Sequence, residues 1–344
     1  MNLNILTETE EALLEGLIDG SERIVVCCHK SPDGDALGSS LAWAGYLSYR
    51  GKAANVVVPD AFPDFLRWLP GVETVTRYDK HKAVVDEWLA AADLIFCLDF
   101  NESARTQEMQ ASLDASPGKK VMIDHHPNPL MACALTISRP EMSSTAELIF
   151  RILWQTGHYE TMTKKGAATI FCGMMTDTGG FTYNSNSPAL YFIISKLLEK
   201  GVDKDRIYRK VYNNYSAWAI RMRGYMMCMR LTVMPGGRAC YFSLTRKIMS
   251  DFHFVRGDAE GLVNEPLRIR GMRLSISLRE DDRYDDTIWV SLRSVDDFPC
   301  NKMAGEYFNG GGHLNASGGC LRCDIRRAEA IVRAAIEAYK PLLG

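Results

Sequence analysis

The sequence predicts an α/β fold, with an N-terminal domain built on a parallel sheet, a helical linker and a smaller mixed α/β domain. Over residues 1–200, near-continuous apolar runs alternate with helical patterns, which is typical of buried parallel strands in βαβ units. Beyond residue 225, shorter segments with alternating polar and apolar residues are joined by polar turns. We therefore expect domains over 1–200 and 226–344, connected by a linker over 201–225.

Four apolar runs are the predicted strands of the first domain. They are IVVCCH, NVVVP, DLIFCLDF and KKVMIDHH, at 24–29, 55–59, 93–100 and 119–126. A helix is predicted over about 36–50 after the first run, and further helices over roughly 143–157 and 188–200. Between these two, an apolar helix ends in TDTGGF at 176–181.

The second domain is predicted from a change in sequence pattern. The segments GRACYFSLT, GMRLSISLRE and DTIWVSLRS alternate as strands do, and EDDRYDD is a polar turn between the last two. A final helix is predicted over roughly 326–340. The charged and aromatic segment GVDKDRIYRKVYNNYSAWAIRMRGY is the predicted helical linker.

Composition indicates an ordinary soluble globular protein and excludes collagen-like, disordered and coiled-coil classes. The 344 residues include 40 Lys plus Arg and 42 Asp plus Glu, for a net charge of −2, and 47% are hydrophobic. No uncharged apolar run approaches the ~18 residues of a membrane span, and the acidic start lacks a basic secretion signal. Several of the ten Cys lie within apolar runs, which favours buried thiols in a reducing compartment. We expect a cytoplasmic protein without membrane association.

Charge is divided unevenly between the two halves. Residues 1–200 contain 17 basic and 25 acidic residues, a net −8, whereas residues 201–344 contain 23 basic and 17 acidic residues, a net +6. Two explanations are consistent with this uneven charge. The two domains could attract each other electrostatically, or the acidic half could bind cations while the basic half binds an anionic substrate. The small overall charge argues against tight wrapping of duplex DNA.

Acidic and imidazole side chains gather where the apolar runs end, which is where open α/β sheets bind ligands. Carboxylate-rich sites with some imidazole suit Mn²⁺ or Mg²⁺, and two ions ~3.5–4 Å apart can clamp the attacking and leaving oxygens of a phosphoryl displacement. Asp99 is the natural bridge between two such ions. The six ligand candidates are His29, Asp33, Asp35, Asp99, His125 and Asp177.

Each of these residues also has an ordinary structural explanation. Asp35 precedes a helix and alone would be read as its N-cap. His125 and His126 could be structural histidines, and Asp177 could form a turn. Four clusters that each end a different apolar run favour a shared site.

The second domain contains a glycine-rich segment, NGGGHLNASGG at 309–319. Consecutive glycines let a backbone approach a phosphate closely, and His313 can donate to the same anion; the alternative is a flexible loop with a surface histidine. Under strand alternation, Arg293 shares a face with Trp289 and Ser291, and is either a salt-bridge partner or a phosphate clamp. Three aromatic residues suit base stacking, although at this spacing such residues are more often core: Trp289, Tyr307 and Phe308.

Several motifs, taken in order, resemble those of the DHH phosphoesterases that carry a DHHA1 domain. They are HKSPDGDALGSS, CLDFN, IDHHPNP, TDTGGF and GGGHLNASGG. The resemblance covers nearly the whole chain. Within the superfamily, VSLRS together with GGGHLNASG is most similar to the NrnA-type group of bifunctional oligoribonucleases and 3′-phosphoadenosine 5′-phosphate (pAp) phosphatases.

The resemblance implies roles for individual residues. Two Mn²⁺ ions, with Mg²⁺ as the alternative, would be held by the six ligand candidates above, with Asp99 as a catalytic bridge. His126 would be catalytic by contacting substrate and stabilising the transition state or leaving oxygen, and Asp124 would orient the neighbouring imidazole. The phosphates or terminal nucleotide would be held by Arg293, Gly310, Gly311, Gly312, His313, Asn315 and Ser317.

The implied activity is hydrolysis of a phosphoester by metal-activated water, in a cleft between the two domains. The expected substrates are short single-stranded oligoribonucleotides and pAp. A cyclic or linear dinucleotide phosphodiesterase, or an exopolyphosphatase, on the same scaffold is the alternative. A non-catalytic nucleic-acid-binding protein would be expected to lack a metal ligand, and none is missing. The sequence leaves a homodimer open.

Overall fold

The computed structural model describes residues 2–255 and 257–344. The chain divides into two compact units, unit 1 extending to Asn214 and unit 2 spanning Tyr215–Gly344. The segment predicted as a linker is shared between them. Its first helix packs Ile207 and Val211 into the core of unit 1, and its second packs Met222 into a core of unit 2.

Unit 1 alternates strands with helices. Its strands are β1 (Ile24–Cys27), β2 (Ala54–Val58), β3 (Thr76–Arg77), β4 (Leu94–Leu98), β5 (Lys119–Asp124) and β6 (Leu135–Ser138). Its helices are α1 (Glu8–Asp19), α2 (Gly34–Tyr49), α3 (Lys82–Ala91), α4 (Gln110–Ala115), α5 (Thr145–Gln155), α6 (Lys164–Asp177), α7 (Pro188–Glu199) and α8 (Lys204–Tyr212).

The six strands form one sheet, sheet A, in the order β3-β2-β1-β4-β5-β6, with every pair parallel. This is a doubly wound arrangement, in which the strand order reverses between β1 and β4. The four predicted strands are confirmed as its centre, and the short strands β3 and β6 extend the two edges. Ligands of such sheets bind beyond the carboxyl ends of the strands at the reversal.

The central strands read as continuous apolar runs because helices cover both faces of the sheet. Along β1, Val26 packs into the cluster that includes α2, α5 and α6, whereas Val25 packs on the opposite face with residues of α3 and α4. Helices α2 and α6 lie very close together. A Cβ on Gly38 would be only 2.6 Å from the carbonyl oxygen of Thr169, so a glycine is required there. This approach draws the ends of α2 and α6 to the same edge of the sheet.

Unit 2 is a mixed α/β domain, as the sequence predicts. Its strands are β7 (Thr232–Val233), β8 (Ala239–Leu244), β9 (Leu274–Glu280), β10 (Thr287–Ser294), β11 (Gly311–Gly312) and β12 (Ala316–Arg322). Its helices are α9 (Ala217–Tyr225), α10 (Arg246–Asp251), α11 (Cys300–Tyr307) and α12 (Ile325–Ala338). In neither unit does a described helix have the length and apolar composition needed to cross a membrane.

The strands of unit 2 form sheet B, in the order β11-β12-β10-β9-β8-β7, in which only β8 and β9 run parallel among the described pairs. Much of the glycine-rich segment is therefore strand, not loop. Along β10, Ile288, Val290 and Leu292 point into a core shared with α11 and α12. On the other face, Phe242 and Leu244 of β8 pack into a second, smaller cluster.

Candidate functional site

The six predicted metal ligands come together at the carboxyl edge of sheet A in two groups of three. Within each group, the ligand atoms lie within 4.8 Å of one another. One group follows β1 and β4, and consists of His29, Asp33 and Asp99. The other is drawn from α2, the end of β5 and the end of α6, and consists of Asp35, His125 and Asp177.

Asp99 lies between the two groups and turns one oxygen towards each. Its Oδ2 is 3.4 Å from Nε2 of His29, and its Oδ1 is 3.5 Å from Nε2 of His125. The residue adopts a left-handed backbone conformation, with φ of 65°, directly after β4. Such a conformation is uncommon outside glycine, and it concentrates at functional sites. The carboxylate has the placement that a bridge between two cations requires.

The ring orientation of two histidines is set by backbone carbonyls. Nδ1 of His29 donates to the Lys30 carbonyl at 2.8 Å, and Nδ1 of His125 contacts the Met142 carbonyl at 3.3 Å. A carbonyl only accepts, so each ring carries its proton on Nδ1 and turns Nε2 towards the carboxylates. Nε2 of His125 is 3.4 Å from Asp177 Oδ2. This is the arrangement of metal-binding imidazoles held by an outer partner.

His126 is held differently from its neighbour. Its Nδ1 is 2.7 Å from Oδ1 of Asp124, a carboxylate that is completely buried. The other oxygen of Asp124 is buried and has no hydrogen-bond partner among the described residues. Together with Asp99, these two residues make a third group of potential ligand atoms.

The first turn of α5 supplies contacts that sequence reasoning missed. The backbone N–H groups of Thr145 and Ala146 donate to the two oxygens of Asp35, at 2.7 and 2.8 Å. The Thr145 hydroxyl donates to Oδ1 of Asp99 at 3.0 Å. One helix terminus therefore orients a carboxylate from each group. The available signal was a run of hydroxyl residues, SST, opening the helix predicted over 143–157.

The structure also separates the roles of the two acids in the DGD turn. Oδ1 of Asp33 accepts the backbone N–H groups of Asp35 and Ala36, each at 3.0 Å, so Asp33 is the N-cap of α2. The capping explanation considered for Asp35 is wrong, because Asp35 lies inside the first turn and is 1% exposed. Oδ2 of Asp33 is turned towards His29, at 3.9 Å.

The electrostatics of the site show an excess of negative charge. Burial and the charges of Asp99 and Asp177 raise the pKa of Asp35 well above its usual value. Burial opposes ionisation of Asp99, but the hydrogen bond with His29 and the nearby imidazoles lower its pKa. Burial also opposes protonation of His29 and His125, yet the surrounding carboxylates raise both pKa values.

These residues fit a pair of divalent cations. Buried carboxylates need compensating charge, and the three imidazoles are too few for the five carboxylates that converge here. Oxygen donors mixed with imidazole suit Mn²⁺ or Mg²⁺. The five acids are Asp33, Asp35, Asp99, Asp124 and Asp177.

In unit 2, close packing explains two of the three consecutive glycines. Gly312 has φ of +135°, and a Cβ there would be 2.7 Å from the Ala316 carbonyl oxygen. A Cβ on Gly310 would be 1.9 Å from the carbonyl oxygen of Gly318. The third glycine, Gly311, differs from these two, because no atom lies within 4 Å of the position that its Cβ would occupy. The space beside its backbone is therefore open.

The polar residues after these glycines shape a tight turn. The N–H of His313 donates to the Ala316 carbonyl at 2.9 Å. Nδ2 of Asn315 donates to Ser294 Oγ at 2.8 Å, and Ser317 Oγ donates to the His313 carbonyl at 2.8 Å. The Asn315 and Ser317 side chains therefore hold the turn that presents His313.

Arg293 is a half-buried guanidinium on β10. It donates to the carbonyl of Leu292 at 2.9 Å, and its buried Nε has no partner among the described residues. Within the described chain, no carboxylate lies within ion-pair distance of it. In the strand register, Arg293 is opposite Ala316, whereas Ser317 is opposite Leu292. The structure thus places Arg293 and Ser317 on opposite faces of sheet B.

Comparison with known proteins identifies relatives of this architecture. The family model described as "DHH family, N-terminal domain" matches residues 23–174. The structure is also similar to that of a Bacteroides fragilis protein described as exopolyphosphatase-related, with a TM-score of 0.92 and 47% identity over 98% of each chain. The similarity extends over both units.

Two more distant relatives are described by their activities. A Thermus thermophilus protein named bifunctional oligoribonuclease and PAP phosphatase NrnA is 25% identical over 315 residues, covering 87% of this chain and 84% of the relative. A Listeria monocytogenes protein named cyclic-di-AMP phosphodiesterase PdeA is 26% identical over 95% of this chain. The match spans 49% of that second relative, about half its length.

Proposed function

The chain belongs to the DHH family of phosphoesterases, and from this premise we propose that it hydrolyses short oligoribonucleotides and pAp, using two divalent cations bound to unit 1. The observation that carries the proposal is Asp99, whose two oxygens face two separate groups of ligand atoms. The substrate assignment is supported by the relatives named NrnA, which are about one quarter identical over most of the chain.

One cation would be held by His29 and Asp33, the other by Asp35, His125 and Asp177, with Asp99 shared. Mn²⁺ is the first choice because each set includes an imidazole, and Mg²⁺ favours oxygen ligands and retained waters. When bound, such a pair supplies a water activated for attack and stabilises charge on the attacking and leaving oxygens.

The His126–Asp124 pair handles a proton. Asp124 accepts the Nδ1 hydrogen of His126 at 2.7 Å and keeps the proton on that nitrogen. Nε2 is then the atom that can donate or accept a proton at the substrate. We therefore assign His126 to contact the phosphoryl group or leaving oxygen, and Asp124 to position it.

Unit 2 would bind the anionic end of the substrate. Arg293 offers a guanidinium that no described carboxylate neutralises, and the forked geometry of guanidinium matches phosphate oxygens. His313 and the open backbone of Gly311 add donors at the turn beside β12. In this proposal, Asn315 and Ser317 shape the turn and Gly310 and Gly312 allow it to pack.

Two other substrates, cyclic di-AMP and polyphosphate, are the alternatives for an enzyme with this fold. A relative is named as a cyclic-di-AMP phosphodiesterase, and the Bacteroides fragilis protein is described as exopolyphosphatase-related. Polyphosphate has no base, so hydrolysis of that polymer requires no recognition of a nucleoside. A cyclic dinucleotide lacks a terminal phosphate for Arg293. Substrate comparison therefore separates the three possibilities.

The test is a comparison of kcat/KM in the presence of Mn²⁺ for an RNA dinucleotide, a long RNA, pAp, cyclic di-AMP and polyphosphate. We expect the dinucleotide and pAp to be preferred over the long RNA, with all activity lost in Asp99→Asn. Preference for cyclic di-AMP or polyphosphate would overturn the substrate assignment. Activity that survives in Asp99→Asn would overturn the assignment of the metal bridge.

A further inference from the structure

The segment that follows β4 brings an arginine to the edge of sheet A where the candidate metal ligands converge. A 3₁₀ helix over Ser103–Met109 begins four residues after Asp99. In this helix, the carbonyl of Arg105 accepts the backbone N–H of Lys30 at 2.8 Å. The carbonyl of Lys30 in turn accepts Nδ1 of His29 at 2.8 Å. Two hydrogen bonds through one residue therefore join the backbone of Arg105 to the imidazole of a candidate ligand.

The 3₁₀ helix is fixed against unit 1 by its buried side chains. Met109 is 0% exposed and packs in a cluster with residues of α3 and α4. Thr106 is also 0% exposed, and its hydroxyl donates to the Ser103 carbonyl at 2.7 Å. The backbone N–H of Arg105 donates to the Glu102 carbonyl at 3.1 Å. A side chain that projects from such a fixed backbone loses less conformational freedom when it binds a ligand.

Arg105 differs from the neighbouring Lys30 because it has no charged partner in the described chain. Nζ of Lys30 forms an ion pair with Oε1 of Glu108 at 2.9 Å. The Arg105 side chain is half-buried, yet among the described residues it makes no hydrogen bond and has no carboxylate within ion-pair distance. A guanidinium that has lost part of its water without gaining a carboxylate is well suited to binding an anion.

The charge of Arg105 acts on one of the two groups of candidate metal ligands. Burial and the charge of Arg105 oppose protonation of His29, although the neighbouring carboxylates raise its pKa overall. The same charge would repel a divalent cation held by His29, Asp33 and Asp99. It becomes favourable when an anion joins the cations, and the phosphoryl group of the proposed substrate is such an anion.

We propose that Arg105 is a further catalytic residue, whose guanidinium binds the non-bridging oxygens of the phosphoryl group that is hydrolysed. The proposal rests on the function proposed above and deepens it, because it gives unit 1 a contact with the phosphoryl group in addition to His126. The forked N–H groups of a guanidinium match phosphate oxygens, and donors aimed at charge that grows in the transition state lower the barrier.

Arg105 takes no part in proton transfer in this proposal. The bond from phosphorus to the oxygen of water forms while the bond from phosphorus to the leaving oxygen breaks. The leaving oxygen gains a proton and the attacking water loses one. Arg105 keeps its positive charge throughout, because a guanidinium is not deprotonated in proteins.

The first test measures binding of Mn²⁺ and of inorganic phosphate to the full chain by isothermal titration, with no nucleotide present. Arg105→Gln removes the charge and keeps a long polar side chain. We expect this variant to bind Mn²⁺ about 2- to 10-fold more tightly, because a repulsive charge is lost. It should bind phosphate in the presence of Mn²⁺ about 10-fold more weakly, because a charge-assisted contact is lost. Arg105→Lys should restore the wild-type affinity for Mn²⁺ and part of the affinity for phosphate.

Lys30→Gln is the matched control, because it also removes one positive charge from these two loops, where Lys30 is paired with Glu108. Its affinity for phosphate should equal that of the wild type. Unchanged phosphate binding in Arg105→Gln would refute the proposal and leave Arg105 as a charge that offsets the carboxylates. Equal loss in Arg105→Gln and Lys30→Gln would also refute it, because the effect would then be one of overall charge. Weaker Mn²⁺ binding by Arg105→Gln would indicate a structural role instead.

Kinetics with pAp and an RNA dinucleotide separate this proposal from the proposed function. We expect Arg105→Gln to lower kcat by about 100- to 1,000-fold and to change KM less, because the contact strengthens in the transition state. If the wild type hydrolyses these substrates and Arg105→Gln retains its kcat, the role of Arg105 is wrong and the proposed function stands. If the wild type hydrolyses neither substrate but its phosphate binding depends on Arg105, the substrate assignment fails and the binding role of Arg105 stands.

Discussion

Sheets A and B place their charged residues in opposite ways. At the edge of sheet A, carboxylates from the segments after β1 and β4 and from α2 and α6 converge. Asp35 and Asp99 are 1% and 2% exposed, whereas the side chain of Asp33 is 51% exposed. On sheet B, Arg293 and Arg279 are half-buried side chains on one face of the strands, the face that also carries Ser277 and Ser291. A cation needs several short contacts from different directions, which loops at a strand edge supply. A nucleotide needs an extended surface, which alternate residues of neighbouring strands supply.

The different placement of charged residues in the two sheets also affects the stability of the folded protein. The carboxylates at the edge of sheet A repel one another, so the site is costly until cations neutralise it. The positive residues of sheet B are partly exposed, and solvent screens them. Variants at the proposed metal site of unit 1 should therefore change cation binding, whereas variants at the proposed substrate contacts of unit 2 should change substrate binding alone. The first three predictions below test this division and the fourth concerns a carboxylate of unit 1 away from the site; they run from the largest effect to the smallest.

Asp99→Asn should abolish the metal site while leaving the fold intact. Removing the bridging charge should weaken Mn²⁺ binding by more than about 100-fold, because the loss exceeds that of an outer partner. Asn is well suited to the left-handed backbone at this position, so the chain should still fold. Isothermal titration with Mn²⁺ measures the affinity, and circular dichroism checks the fold. If the folded variant bound Mn²⁺ with the affinity of the wild type, the assignment of cation binding to this site would be wrong.

Thr145→Val should weaken Mn²⁺ binding by roughly 10- to 100-fold, the usual effect of losing an outer partner. The variant is close in shape but cannot donate to Asp99 Oδ1. Thr145→Ser keeps the hydroxyl and should retain most of the affinity. Thr169→Val is the control, since among the described residues the Thr169 hydroxyl donates to the Gly166 carbonyl of its own helix. The same loss in Thr145→Ser as in Thr145→Val would show that packing, not the hydrogen bond, matters.

Arg293→Met and His313→Ala should each raise KM for short oligoribonucleotides by about 10-fold. A hydrogen bond to a charged group contributes about 1.5–3 kcal/mol, and the lower of these values corresponds to about a tenfold change. Mn²⁺ affinity should be unchanged in both variants, because the six proposed metal ligands all belong to unit 1. Steady-state kinetics and Mn²⁺ titration check the two halves of this prediction. An Arg293→Met variant with altered Mn²⁺ affinity would contradict the separation of roles.

Glu10→Gln should show that a carboxylate of unit 1 away from the site stabilises the fold. Burial opposes ionisation of Glu10, but the Thr7 backbone N–H at 2.8 Å and the Arg139 guanidinium at 3.1 Å lower its pKa. Because the folded pKa is below the unfolded value, this stability is present at neutral pH and is lost as pH falls through the folded pKa.

At pH 7 the variant should therefore unfold with a free energy about 1 kcal/mol lower than wild type. The difference should shrink below about pH 4, where Glu10 of the wild type also becomes protonated. Urea unfolding at the two pH values measures it. Glu8→Gln, in the same helical turn, is the control. A difference that grows on acidification would mean that the sign of the pKa shift is wrong.

Much of the fold and most of the candidate site could be predicted from the sequence. The runs that became β1, β2, β4 and β5 are apolar throughout because both faces of sheet A are covered, and this is a local property of the chain. The short strands β3 and β6 lack that signal. Strand β12 was hidden because ASGGCLR is rich in glycine, and its glycines are needed for close packing against neighbouring backbone.

By itself, the sequence determined the residue types at the strand ends, their order and the family they resemble. Only the tertiary structure decided which of them meet. The order β3-β2-β1-β4-β5-β6 places His29 beside Asp99, and brings Thr145 to Asp99 from 46 residues away. Likewise, the pairing of β10 with β12 puts Ser317 on the face of sheet B opposite that of Arg293. Periodicity describes one segment at a time, whereas a site depends on which segments become neighbours, and long-range packing sets that.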